Sequence, residues 1–95
     1  MLDQTIELLD RYEEAHWSRR LGKAKKRIEN RDFSGLTYLL NAYGGMGSLN
    51  DLGIHPLNGH KIDDNEVTAV NNKLDKLRGR MFEVADQIRR EVLKE

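Results

Sequence analysis

The chain has 95 residues, with 16 Lys and Arg set against 16 Asp and Glu, three His, one Pro and no Cys. A chain this short builds one domain, 1–95, and buries ~60–65% of the surface its unfolded form exposes. The missing Cys excludes disulfide scaffolds, Cys-based zinc sites and thiol nucleophiles, and the zero net charge excludes a globally cationic binder of nucleic acid or membrane.

Residues 1–30 read as helix. Leu2, Ile6, Leu9 and Tyr12 form one apolar stripe, and Trp17, Leu21, Ala24 and Ile28 form a second. At about 100° per residue the second stripe is turned by roughly a quarter-circle from the first. A kink or break is therefore expected near His16–Ser18, with Ser18 as a possible cap of a second helix. Asn30-Arg31-Asp32 ends the segment.

Residues 33–43 read as a shorter helix, with Ser34 as N-cap and Leu36, Leu39, Leu40 and Tyr43 at helical spacing. Gly44 and Gly45 are expected to stop it, one of them in the left-handed position after the last turn. Residues 44–62 then form one irregular connection, with a turn of helix at 48–52. At ~19 residues it is long for a structureless link. Leu49, Leu52, Ile54, Leu57 and Ile62 are expected to pack it onto the helices.

From Asp64 to Lys94 apolar residues recur at Val67, Val70, Leu74, Leu77, Met81, Val84, Ile88 and Val92. The alternating spacings of three and four make a heptad seam on one long helix. Asp63 or Asp64 can cap its start. Gly79 lies inside it and reads equally as a close helix crossing or a tolerated surface glycine. The expected fold is an all-α small bundle: a long C-terminal helix, a kinked or broken N-terminal segment packed on it, a short middle helix and a long Gly-rich loop.

Charge is segregated along the chain. Residues 1–15 sum to −4, 16–31 to +6, 32–66 to −4 and 67–95 to +2. On a helical wheel Arg19, Arg20, Lys23, Lys26, Arg27 and Arg31 share an arc opposite Trp17, Leu21, Ala24 and Ile28. This basic face suits phosphates or an acidic protein surface. The blander reading is a solvated face matched by acids of neighbouring segments. Without interleaved aromatic residues or a DNA-reading motif, nucleic acid is a minor reading.

Candidate chemistry concentrates in the loop. The run Gly44-Gly45-Met46-Gly47-Ser48 has the glycines of an anion cradle, but lacks the Lys-Ser/Thr ending of a phosphate loop. Asp51, His55, His60, Asp63 and Asp64 fall in or beside it. No pair of His residues has helical metal-ligand spacing, so no metal and no cofactor are expected. His16 has no evident acid or nucleophile partner, and Ser18 no evident base. No catalytic residues are assigned.

The runs His16-Trp17-Ser18, Asp32-Phe33-Ser34-Gly35-Leu36, Tyr38-Leu39-Leu40-Asn41-Ala42-Tyr43-Gly44-Gly45-Met46-Gly47-Ser48-Leu49-Asn50-Asp51 and His55-Pro56-Leu57-Asn58-Gly59-His60 together resemble a family of small uncharacterised bacterial proteins. The resemblance spans about residues 3–90, and the Gly-rich block is its most specific part. It implies a bacterial, cytoplasmic, stand-alone domain and carries no known activity. Small bacterial domains of this kind include immunity proteins for secreted toxins.

The leading expectation is a protein-binding module, an immunity protein that blocks a cognate toxin by covering its active site. The expected contact residues are Met46, Asn50, Asp51, His55 and His60, with Asp63, Asp64 and Glu66 if the toxin is a basic nuclease. One alternative is a small ligand-binding or catalytic domain using Gly44–His60, with His55 or His60 as acid–base. Another is self-association along the Val67–Val92 seam, or nucleic-acid binding, so the chain is a monomer or a homodimer. No apolar run reaches the ~18 residues of a membrane span. Met1-Leu2-Asp3-Gln4 lacks the shape of a signal peptide, so a cytoplasmic location is expected.

Overall fold

A computed structural model describes residues 2–44 and 47–92. Four helices follow in chain order: α1 Leu2–Arg11, α2 Ala15–Glu29, α3 Ser34–Leu40 and α4 Val67–Val92. Short 3₁₀ turns at Leu49–Asp51, Pro56–Asn58 and Asp64–Glu66 punctuate the stretch between α3 and α4. No strand occurs among the described residues. The fold is the expected all-α one.

The break in the N-terminal segment lies earlier than the sequence suggested. Helix α1 stops at Arg11 because Glu13 adopts a left-handed conformation, φ 58°. The Glu14 N–H then donates to the Leu9 carbonyl at 2.8 Å and the Glu13 N–H to Asp10 at 3.1 Å. These are the two bonds of a Schellman stop. Glu14 caps the next helix, its carboxylate accepting the Trp17 N–H at 3.4 Å. Ser18 is therefore no cap. It sits inside α2, buried, and its hydroxyl donates to the Asp10 carboxylate. Helix α2 ends the same way. Arg31 takes φ 59°, the Asp32 N–H donates to Arg27 at 2.8 Å and the Arg31 N–H to Ile28 at 3.0 Å.

Asp32 in turn starts α3. Its carboxylate accepts the Ser34 N–H at 3.1 Å and the Ser34 hydroxyl at 2.6 Å. The cap expected of Ser34 thus belongs to Asp32, and Ser34 serves as donor. Helix α3 ends at Leu40, before the glycines, through successive turns at Ala42 and Tyr43. Gly44 follows with φ 150°; Gly45 lies outside the described residues. The left-handed stops of α1 and α2 fall on Glu13 and Arg31, neither a glycine.

Helices α1 and α3 both lie along α4, and α2 packs across α1 and α3. The core draws Leu8, Leu9 and Tyr12 from α1, Trp17, Leu21 and Ala24 from α2, and Leu36, Leu39 and Leu40 from α3. Leu74, Leu77, Met81 and Ala85 come from α4, and Leu49 and Ile54 from the connection. Gly35 marks where α2 and α3 touch. A Cβ there would stand 2.9 Å from Arg27 Cβ and 3.0 Å from the Ala24 carbonyl oxygen.

The seam of α4 is only partly filled. Leu74, Leu77 and Met81 are buried, whereas Val84, Ile88 and Val92 are exposed. Helix α4 is ~39 Å long by its residue count, and the three shorter helices do not reach its end. Asp63 and Asp64 make no side-chain cap; α4 grows out of a 3₁₀ turn closed by the Glu66 N–H on the Asp63 carbonyl at 2.9 Å. Gly79 is an exposed glycine with nothing within 4 Å of a Cβ, so the close-crossing reading is dropped. Lys94 and the rest of 93–95 lie outside the described residues.

Candidate functional site

The long connection is fastened down by side chains of α4 and by the α1–α2 corner. Arg78 donates to the carbonyls of Leu49 at 3.0 Å and Leu52 at 2.7 Å. Asn71 grips Ile54 from both sides. Its carbonyl accepts the Ile54 N–H at 2.8 Å and its amide donates to the Ile54 carbonyl at 2.9 Å. Leu49 and Ile54 can then be fully buried with their backbones satisfied. The Tyr43 hydroxyl donates to the Arg78 carbonyl at 2.6 Å, and burial pushes its pKa up to about 12.

His60 is the second fastening point. It is 8% exposed. Its Nδ1 accepts the His55 N–H at 3.2 Å, so the neutral ring carries its hydrogen on Nε2. Nε2 then donates to the Glu14 carboxylate at 3.1 Å. One carboxylate thus caps α2 through Oε2 and holds the loop through Oε1. Both ring nitrogens are engaged. His60 therefore ties the loop to the α1–α2 corner.

Between these anchors the chain makes a tight turn. His55 Nδ1 accepts the Leu57 N–H at 3.0 Å, the Asn58 N–H donates to His55 at 2.9 Å and the Gly59 N–H to Pro56 at 3.0 Å. The Asn58 side chain donates to the Gly53 carbonyl at 3.0 Å. Gly59, at φ 82°, takes the left-handed step that brings the chain back to His60. The product is an outward Leu57 that is 89% exposed. The expectation that Leu57 packs inward is overturned. Pro56 and Asn58-Gly59 bracket it in a turn too tight to fold its side chain under.

The other expected contact residues are spread around this turn. Asn50 and Asp51 are exposed; the Asp51 carboxylate accepts the Gly47 N–H at 2.9 Å. His55 is half-buried. Asp63, Asp64 and Glu66 are exposed at the root of α4, where Glu66 accepts the Tyr12 hydroxyl at 3.2 Å. Burial, and then Glu66, raises the Tyr12 pKa. Met46 lies outside the described residues. Glu14, Trp17, Ser48, Asp51 and His60 border one shallow cleft of about 250 Å³. It is smaller than the ~300–1,000 Å³ typical of small-molecule sites. The Ser48 hydroxyl donates to the Gly44 carbonyl at 3.1 Å. Among the described residues no three His, Asp or Glu side chains converge to hold a metal ion.

The basic residues occupy another face. Arg19, Lys23, Lys26, Arg27 and Arg31 are exposed, and Arg20 is half-buried. The Arg20 guanidinium stands 5.4 Å from both the Trp17 and Tyr38 rings, and that of Arg27 4.5 Å from the Tyr38 ring. The sequence grouped all six on one arc, read either as a basic binding face or as a solvated one, without an aromatic partner. Tyr38 of α3 instead supplies the face with an aromatic partner that spacing along α2 could not reveal.

Glu14, Asn71, Arg78 and Leu57 were missed as site residues. The first three act across 17 to 46 positions of sequence, where local pattern carries no signal. Leu57 had one, the proline–asparagine–glycine frame around it.

No helix among the described residues is long and apolar enough to cross a membrane. A family described as Domain of unknown function (DUF6966) matches residues 10–63, from the end of α1 through the whole pinned loop. No curated protein and no solved structure matches the chain.

Proposed function

We propose that this chain, which belongs to the DUF6966 family, is a protein-binding module: an immunity protein of the bacterial cytoplasm that covers the active site of a cognate toxin. The observation that carries the reading is Leu57, an aliphatic side chain 89% exposed on a turn held by four hydrogen bonds. An exposed leucine on a mobile tip would lose its contact energy to ordering. On a preformed turn, little is lost when a partner buries it. The exposed acids Asp51, Asp63, Asp64 and Glu66, in the loop or at the root of α4, would speed association with a basic nuclease toxin. The family match covers the loop together with Glu14 and His60, and leaves out α4 with its anchors Asn71 and Arg78.

The test is co-expression with the product of the adjacent gene. The proposal expects protection of the host and a shared peak on size-exclusion chromatography. Absence of both rejects it.

A second reading has its own observation. Val84, Ile88 and Val92 leave an exposed stripe along the end of α4, which suits self-association. Light scattering across a concentration series distinguishes monomer from homodimer.

A further inference from the structure

We infer that the α2–α3 face is a separate docking surface for a carboxylate-rich protein surface, with Arg20 and Arg27 as its fixed anchors. Six cations, Arg19, Arg20, Lys23, Lys26, Arg27 and Arg31, lie on or beside α2. Among the described residues the ion pairs of α2 are limited to Lys25 with Asp3, on another side of the helix. Among these residues Asp32 makes no ion pair with this face; its pKa is lowered chiefly by the Ser34 hydrogen bonds and only in small part by Arg27. The face is thus not neutralised by neighbouring acids, as a merely solvated face would be.

Two of its guanidinium groups are pre-ordered. Arg20 lies between Trp17 and Tyr38, and Arg27 rests over Tyr38. The Arg20 Nε is buried and has no hydrogen-bond partner among the described residues. Its ring contacts hold it there, and its terminal nitrogens remain available to an acceptor. A guanidinium fork fixed on aromatic rings matches a carboxylate in two-pronged fashion and loses little freedom on binding.

The patch is bounded, which favours a protein partner over a nucleic-acid strand. From Arg19 to Arg31 it runs ~18 Å at helical rise. Asp32, within Coulombic reach of Arg27, stands at one end of it. A continuing phosphate backbone would meet this acid. The rings of Trp17 and Tyr38 already carry guanidinium groups and leave bases no open platform.

The experiment is an anisotropy titration at low salt with a labelled Glu-rich helical peptide, and with a labelled oligothymidylate of equal charge. The peptide is expected to bind more tightly than the oligonucleotide. Arg20→Ala and Arg27→Ala each weaken it about tenfold, and Arg80→Ala, on α4, leaves it unchanged. Arg20→Lys keeps the charge but loses the fork, so it weakens binding as well, with the fold checked by circular dichroism. No peptide binding, tighter oligonucleotide binding, or an Arg20→Lys variant equal to wild type each overturns the inference. The inference stands apart from the toxin reading, because none of these variants touches the loop.

Discussion

Two kinds of residue hold this protein in shape: those that end helices and those that tie the loop. Glu13 and Arg31 end theirs in a left-handed conformation that costs an L-residue ~1 kcal/mol or more. Glu13→Gly is therefore expected to stabilise the protein by about 0.5–1 kcal/mol in a urea titration. His60→Ala removes a buried partner from the Glu14 carboxylate and from the His55 N–H, and is expected to cost about 2–3 kcal/mol in the same assay. Asp32 sets part of the acid response. Hydrogen bonds from the Ser34 side chain and backbone hold its pKa below the ordinary 3.8. A lowered folded pKa means its contribution is present above that ordinary value and lost as pH falls through the folded one. Asp32→Asn should flatten the stability-versus-pH curve in that acid range and leave its neutral part without a slope change.

At the level of elements, glycine substitutions separate packed helix from free helix. Gly35→Ala places a methyl against Arg27 Cβ and the Ala24 carbonyl, forcing α3 off α2; about 1–3 kcal/mol should be lost in thermal melts. Gly79→Ala meets nothing and should gain up to ~1 kcal/mol. The helices themselves were readable from period: the stripes of α1 and α2 and the Leu74–Met81 part of the α4 stripe face the core as the sequence put them. The break between α1 and α2 was displaced because Glu13 and Glu14 carry no glycine or serine signature of a stop and a cap. The filled length of the α4 seam was also hidden, since it depends on how far the shorter helices reach. The loop was visible as a loop through its glycines and Pro56. Its anchors were not, because Asn71, Arg78 and Glu14 look like ordinary surface residues until the fold brings them to it.

Across the whole molecule, the neutral sum of charges divides into surfaces of opposite sign. The acids Asp51, Asp63, Asp64 and Glu66 border the pinned loop, and the cations line α2. Removing an anchor and removing the exposed leucine should therefore have separable effects. Arg78→Ala frees the Leu49 and Leu52 carbonyls and should lower stability. Leu57→Asp touches no packed side and should leave stability within ~0.5 kcal/mol. The most direct measurement is the calorimetric affinity of Leu57→Asp for the product of the adjacent gene, set against wild type. A pinned docking turn predicts a loss of about 2 kcal/mol, roughly 30-fold, with an unchanged melting temperature. Equal affinities would contradict it.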